Sequence, residues 1–324
     1  MAETYKLTND ALDALFAALR KDGRRILAPV DGDGRTELCE VETRAQVAKD
    51  YLQTILSAKE AVFPKVERLL SYTTEPGKVD LKDSEPHAMP TVLFGIRPCE
   101  AKAFKALDAV FNWDSRDKFF NARLEKLAVL AVSCTKADDA CFCTSVGGGP
   151  SDTAGSDLLL TPMEGGFLAE VLSEKGEAIR ALATDLFTPC EGIDKAALTV
   201  KLEPAFNHPA LTAQLPGIFE NPLWDEQALR CIGCGACAFV CPTCVCFDLQ
   251  EEADPKGGQR LRCWDSCGFA MFTKHASGHN PRNVQGVRQR QRTQHKFRIY
   301  PDKFGEVLCT GCGNCARNCP VSLG

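Results

Sequence analysis

Cys231-Ile-Gly-Cys234-Gly-Ala-Cys237-Ala-Phe-Val-Cys241-Pro242 is one of two near-copies of the same run, the other being Cys309-Thr-Gly-Cys312-Gly-Asn-Cys315-Ala-Arg-Asn-Cys319-Pro320. Both carry the spacing C-x2-C-x2-C-x3-C-P, which holds [4Fe–4S] clusters in bacterial ferredoxins. Three thiols two residues apart on a glycine-rich loop can turn inward onto one cube. Gly233, Gly235, Gly311 and Gly313 allow the backbone to curl there. The fourth cysteine, before proline, points to the neighbouring cluster. The expected ligand sets are therefore Cys231, Cys234, Cys237 and Cys319 for one cluster, and Cys309, Cys312, Cys315 and Cys241 for the other. Paired C-x-x-C units can also hold structural zinc. Two matching four-cysteine runs, each closed by proline, favour cubanes.

Working outward, 324 residues suggest two domains with a core each. Apolar content of 44% and charged content of 25% fit a soluble globular chain. A net charge of −5 argues against a general nucleic-acid binder. Twelve of the 18 cysteines fall at or after Cys231. The opening Met-Ala-Glu-Thr-Tyr-Lys has no apolar leader, and no run is long enough to span a bilayer. Many cysteines without an export signal point to a reducing, cytoplasmic setting in which thiols bind metal. Direct membrane insertion is not expected.

In the N-terminal half, Asn9 can cap a helix over about 10–21, with Leu12, Leu15, Phe16 and Leu19 on one face. Residues 26–30 and 36–41 read as a hairpin around Asp31-Gly32-Asp33-Gly34, and 44–72 as mostly helical. Cys39, on the return strand, reads as a small packed side chain. Thr91–Ile96 and Leu127–Val132 are apolar strand-type runs flanking an amphipathic helix, which suggests a parallel βαβ unit. Functional loops of such units lie at the carboxyl ends of the strands. Cys99 and Cys134 both stand just past those ends, and the following loop supplies Cys141 and Cys143. These four form a candidate third [4Fe–4S] site, although spacing alone leaves scattered reduced thiols equally open. Gly147-Gly148-Gly149 lacks the lysine of a phosphate loop.

Residues 157–163 and 167–172 read as a hairpin, 177–183 as a helix, and the proline-broken 189–222 as an irregular connection. Asn221, Pro222, Asp225 and Glu226 then open a helix leading to Cys231. Between Cys241 and Cys309 lie 67 residues, an insert far longer than a compact ferredoxin needs. It contains Cys244, Cys246, Cys263 and Cys267, a weak pattern for a further metal. Its basic stretch from Lys274 to Arg298 divides between a solvated face and support of the clusters or of an acidic partner. Without interleaved aromatics it does not read as a nucleic-acid site.

The expected fold class is thus α+β. An N-terminal α/β domain with a short parallel βαβ unit spans 1–221. A bacterial-type two-[4Fe–4S] ferredoxin domain spans 222–324, with its insert at 242–308. No dinucleotide fingerprint, phosphate loop or activated nucleophile is present, so no catalytic residue is assigned. A chain of clusters without a place for hydride chemistry is a wire between partners.

The phrases Gly95-Ile-Arg-Pro-Cys99, Cys141-Phe-Cys143, Cys231-Ile-Gly-Cys-Gly-Ala-Cys237, Cys241-Pro-Thr-Cys-Val-Cys-Phe-Asp248, Trp264-Asp-Ser-Cys267 and His295-Lys-Phe297 together resemble one family. It is that of the iron–sulfur (beta) subunit of cytoplasmic sulfhydrogenases and its counterpart in anaerobic sulfite reductase. The resemblance runs from about residue 90 onward. It implies an iron–sulfur relay between an FAD-containing, NAD(P)H-oxidising subunit and a catalytic redox subunit of hydrogenase, sulfite reductase or heterodisulfide reductase type. It also adds weight to the Cys99, Cys134, Cys141, Cys143 site. Cys263 departs from the family pattern. The alternative is a stand-alone reductase with the N-terminal cluster as its catalytic centre.

Overall fold

The computed structural model describes residues 3–323. Strand β1 (Glu3–Thr8) runs into helix α1 (Asn9–Lys21). Thr8, not Asn9, caps the helix, its side chain accepting from Ala11 N at 3.1 Å. Strands β2 (Arg25–Gly32) and β3 (Arg35–Val41) form the expected hairpin. Residues 44–72 differ from the expected helix. Apart from single 3-10 turns at Arg44–Gln46 and Ala58–Ala61, the segment is irregular up to β4 (Val66–Glu75), which pairs with β5 (Lys78–Asp83). The reason is tertiary. Strand β4 finds its second partner nearly 200 residues away, and that pairing overrides local preference.

Strand β6 (Thr91–Phe94), α2 (Pro98–Asn112), α3 (Lys118–Lys126) and β7 (Leu127–Val132) follow. Strands β8 (Leu158–Met163) and β9 (Gly166–Val171) make a hairpin, trailed by α4 (Glu174–Ala181) and the short β10 (Thr188–Pro189). The large sheet has the order β10-β1-β9-β8-β7-β6-β2-β3. Its centre, β2, β6, β7 and β8, is parallel, and the flanking pairs are antiparallel.

Both faces of that centre are covered. Val92, Phe94, Leu130 and Val132 pack toward Leu12, Leu15, Phe16 and Leu19 of α1. The alternate residues Leu93, Leu127, Val129 and Ala131 pack toward Phe104, Leu107 and Phe111 of α2 and Phe120 of α3. Burial on both faces explains why these strands read as unbroken apolar runs. It also fixes where β6 and β7 end, and so where Cys99 and Cys134 stand.

The connection after β10 is mainly irregular, relieved by α5 (His208–Gln214), and leads into α6 (Leu223–Ala228). The first cysteine run continues into α7 (Ala236–Phe239). The insert then builds β11 (Phe247–Asp254) and β12 (Gly257–Trp264), and β12 pairs with β4 to give a second sheet, β11-β12-β4-β5. Helix α8 (Gln285–Gln294) passes through a π-helical turn at His295–Ile299 into α9 (Tyr300–Phe304). The second cysteine run ends in α10 (Asn314–Arg317).

Arg262 on β12 fastens the insert to the N-terminal half. It ion-pairs with Glu67 on β4 and, at 2.5 Å, with Asp117 before α3, while Arg123 also reaches Glu67. The Arg262 and Glu67 side chains are only 5% and 3% exposed. Arg262→Ala leaves the buried Glu67 carboxylate with Arg123 as its remaining cation, and the expected loss is about 2 kcal/mol in urea unfolding. Arg260→Ala, whose partner Glu251 is solvent-accessible, is expected to cost less than about 1 kcal/mol.

Candidate metal centres

The two cysteine loops turn where their glycines require it. Gly311 and Gly313 have φ of +66° and +75° and lie against another backbone, where a Cβ would come within 2.4 Å of Cys143 N and 2.3 Å of Ala140 O. After each loop, a short helix carries the third cysteine, and α7 and α10 pack on one another.

A cavity of about 110 Å³ is lined by Cys231, Cys234, Cys237 and Cys319, with Cys315 on its inner wall. A second, of about 140 Å³, is lined by Cys241, Cys309, Cys312 and Cys315. Each expected ligand set thus faces its own space, with the crossed fourth cysteine in place. These volumes are far larger than one ion. Among the described residues no three His, Cys, Asp or Glu side chains close on a point as a single metal ion would need. The donor sets fit cubanes better than zinc.

The surroundings are cationic, and much of the charge is buried. Lys296 Nζ donates to Cys241 Sγ at 3.3 Å, Thr243 Oγ1 at 2.9 Å and Leu308 O at 2.9 Å. Burial opposes its charge, yet the sulfurs of Cys241 and Cys244 outweigh that and hold it protonated above the ordinary lysine value. Arg292 lines both cavities. It donates to Cys237 O at 3.0 Å and Cys244 Sγ at 3.5 Å. Gln285 and Gln289 both donate to Cys231 Sγ, at 3.1 and 3.0 Å. Hydrogen bonds and cations around sulfur raise a cluster's potential. Part of the basic stretch is therefore cluster lining, while Lys274 at its start is exposed.

The N-terminal four also meet. Cys99, Cys134, Cys141 and Cys143 are close enough to interact, the Cys134 and Cys143 thiolates raising Cys99, Cys141 raising Cys134, and Cys134 and Cys141 raising Cys143. Burial is the larger cause and pushes Cys143 up to about 11, as it does Cys309. Cys99 Sγ accepts from Gln53 Nε2 at 3.0 Å, and Cys141 Sγ from Arg317 Nη2 at 3.0 Å. Arg317 belongs to α10, and its fork on Asp138 (2.7 and 2.5 Å) holds that carboxyl down at about 2. Phe142 N donates to Gly311 O at 3.0 Å. The N-terminal thiols thus stand directly behind the second cysteine loop. Arg97 of the Gly-Ile-Arg-Pro-Cys phrase is buried against Tyr51 and donates to the Tyr51, Leu52 and Ser133 carbonyls, fixing the strand ends that carry Cys99 and Cys134.

Of the four remaining insert thiols, Cys244, Cys246 and Cys267 lie near one another and Cys263 does not join them. Cys246 and Cys267 share a hydrogen bond, as do the free thiols Cys244 and Cys241. Cys263 stands apart on β12, 3.7 Å from Gln250 Oε1 and facing Asp248 and Glu252. Trp264 is buried beneath Lys59 Nζ, 4.2 Å from its ring centre. Gln53, Gln285, Gln289 and Lys59 were not found by sequence reasoning. Polar residues in irregular or basic segments carry no spacing that marks them.

Residues 230–323 match the 4Fe-4S dicluster domain family. Along 98% of its length the chain is 28% identical to Sulfhydrogenase 2 subunit beta of Pyrococcus furiosus, covering 95% of that protein. The chain is similar to the beta subunit of sulfhydrogenases. It is an iron–sulfur protein of electron-transfer type. No solved structure matches it. Among the described residues no helix is long and apolar enough to cross a membrane.

Proposed function

We propose that the chain is the relay subunit of a cytoplasmic oxidoreductase, with three [4Fe–4S] sites in a row. One is Cys99, Cys134, Cys141 and Cys143. The middle one is Cys241, Cys309, Cys312 and Cys315. The last is Cys231, Cys234, Cys237 and Cys319. Such clusters, when bound, store one electron each at potentials set by their protein shell.

The observation that carries the reading is the stacking of the three thiol sets. The two cavities share Cys315 and Arg292 as a common wall. Behind the middle set, Gly311 and Gly313 press on Cys143 and Ala140. Cys241 and Cys312 are buried, whereas Cys234 is exposed, so the row has an inner member and an outer end. The α/β part, 1–221, carries one site and the ferredoxin-like part, 222–324, the other two, stitched together by the β4–β12 pairing. The partners this implies are an FAD- and NAD(P)H-handling subunit on one side and a catalytic redox subunit of hydrogenase, sulfite reductase or heterodisulfide reductase type on the other.

Coulometric titration of the iron-loaded chain tests the proposal. It is expected to take up about three electrons, and the chain alone is expected not to oxidise NAD(P)H. Turnover of NAD(P)H without a flavoprotein contradicts the relay and favours a self-contained reductase.

A further inference from the structure

The outer cavity opens onto a surface unlike that of an ordinary globular protein. Cys234 is exposed, and beside it Ile232 is 66% exposed. Three more large apolar side chains stand within three residues of the cavity lining. Leu229, two before Cys231, is 83% exposed; Met271, three after Gly268, is 67% exposed; Val284, next to Gln285, is 48% exposed. Single exposed apolar residues are common, but four on the segments that line one opening point to an interaction site.

Along the chain from Ser266 through α8 the charge is of one sign, while Asp225 of α6 lies against Gly286. From Ser266 to Tyr300 there is no Asp or Glu, against seven Lys and Arg. Lys296 and Arg292 are occupied inward on sulfur, and Arg290 pairs with the exposed Glu220. Lys274 and Arg230 remain exposed, and with Arg282 they form no ion pair among the described residues. Arg230 instead donates to Ser322 O at 3.1 Å, beside Cys319 and Leu323 of the cavity. A patch of unpaired cations steers an oppositely charged partner and sets orientation, while an apolar centre supplies contact area.

We infer that this collar, Leu229, Ile232, Met271 and Val284 within a basic rim of Arg230, Lys274 and Arg282, is the docking face for an acidic redox protein that exchanges electrons at Cys234. The inference rests on the relay reading, because it takes the outer cysteine set to hold a cluster. One electron crosses per encounter, the chain being oxidised as the partner is reduced, or the reverse, with no bond made or broken. The opposite end of the row, at Cys99 and Cys134, then serves the other partner.

The test uses the iron-loaded full chain and an acidic bacterial-type ferredoxin as probe, with methyl viologen as a small dye that needs no docking face. Electron exchange with the ferredoxin is followed by stopped flow in whichever direction runs. The Leu229→Glu/Met271→Glu double variant is expected to lower the second-order rate at least tenfold. It should leave iron per chain and the dye reaction unchanged. Lys274→Glu is expected to flatten the salt dependence of the ferredoxin rate, since steering by exposed charges is screened by salt. An unchanged ferredoxin rate in the double variant overturns the docking face while leaving the relay intact. So does a wild-type chain that exchanges electrons with dye but not with ferredoxin. A chain that holds no iron at Cys231, Cys234, Cys237 and Cys319 overturns both.

Discussion

Gly311→Ala is expected to destabilise the chain by roughly 3–5 kcal/mol and to expel iron from the N-terminal site. Gly311 has φ of +66°, where an L side chain is strained by about 1–3 kcal/mol. A Cβ there would also come 2.4 Å from Cys143 N, 2.5 Å from Cys143 Cα and 2.5 Å from the Phe142 carbonyl carbon. All three are backbone atoms, so no side chain can rotate away. Relief requires moving either the Cys309–Cys315 loop or the Cys141–Cys143 loop, and the Phe142 N to Gly311 O bond ties the two together. Gly23→Ala is the control. It has φ of +75° but nothing within 4 Å of the added methyl, and so carries backbone strain alone. Urea midpoints of the two variants separate the effects, with Gly311→Ala expected to fall well below Gly23→Ala. Iron per chain then reports whether the N-terminal site is lost with it.

Lys296→Met is expected to lower the potential of the middle site by on the order of 100 mV. A unit charge about 5 Å away at an effective dielectric of about 20 is worth roughly 3 kcal/mol, and about 1.4 kcal/mol corresponds to roughly 59 mV for one electron. Methionine keeps the length and apolar stem of lysine while removing the charge. The Thr243 hydroxyl and Leu308 carbonyl lose a donor, so stability also falls by about 1–3 kcal/mol. The potential is the discriminating readout, because a lysine that only held the π-helical turn in place would not shift it. A redox titration followed by EPR should show one signal displaced downward. The outer-site signal should move less, since Arg292, not Lys296, lines that cavity. Lys296→Arg, which keeps the charge, should restore most of the potential.

Much of this organisation was legible in the residues because the chemistry is local. Two C-x2-C-x2-C-x3-C-P runs specify loop, turn and ligand spacing within a dozen positions each, and the structure places each crossed set around its own cavity. The strand ends before Cys99 and Cys134 were visible because β6 and β7, buried on both faces, are apolar throughout. Elements that depend on distant partners were not visible. Strand β1 pairs with β9, more than 150 residues on, and gives no hairpin signal of its own. Strand β4 was read as helix because the insert that pairs with it lies far away in sequence. The insert was recognised only as excess length. Its hairpin and the Arg262–Glu67–Asp117 network show that it also clamps the N-terminal half. Cys244, Cys246, Cys263 and Cys267 made only a weak pattern in sequence, and strand pairing turns Cys263 away from the others.

The proposal of three sites in a row is tested most directly by iron and acid-labile sulfide per chain on anaerobically purified protein. The wild type and Cys134→Ala are compared, with EPR after reduction. Three cubanes predict about twelve irons in the wild type, about eight in the variant, and loss of one EPR component while the other two persist. About eight irons in both proteins, with identical spectra, would contradict the account. It would leave Cys99, Cys134, Cys141 and Cys143 as half-buried thiols behind a two-cluster ferredoxin.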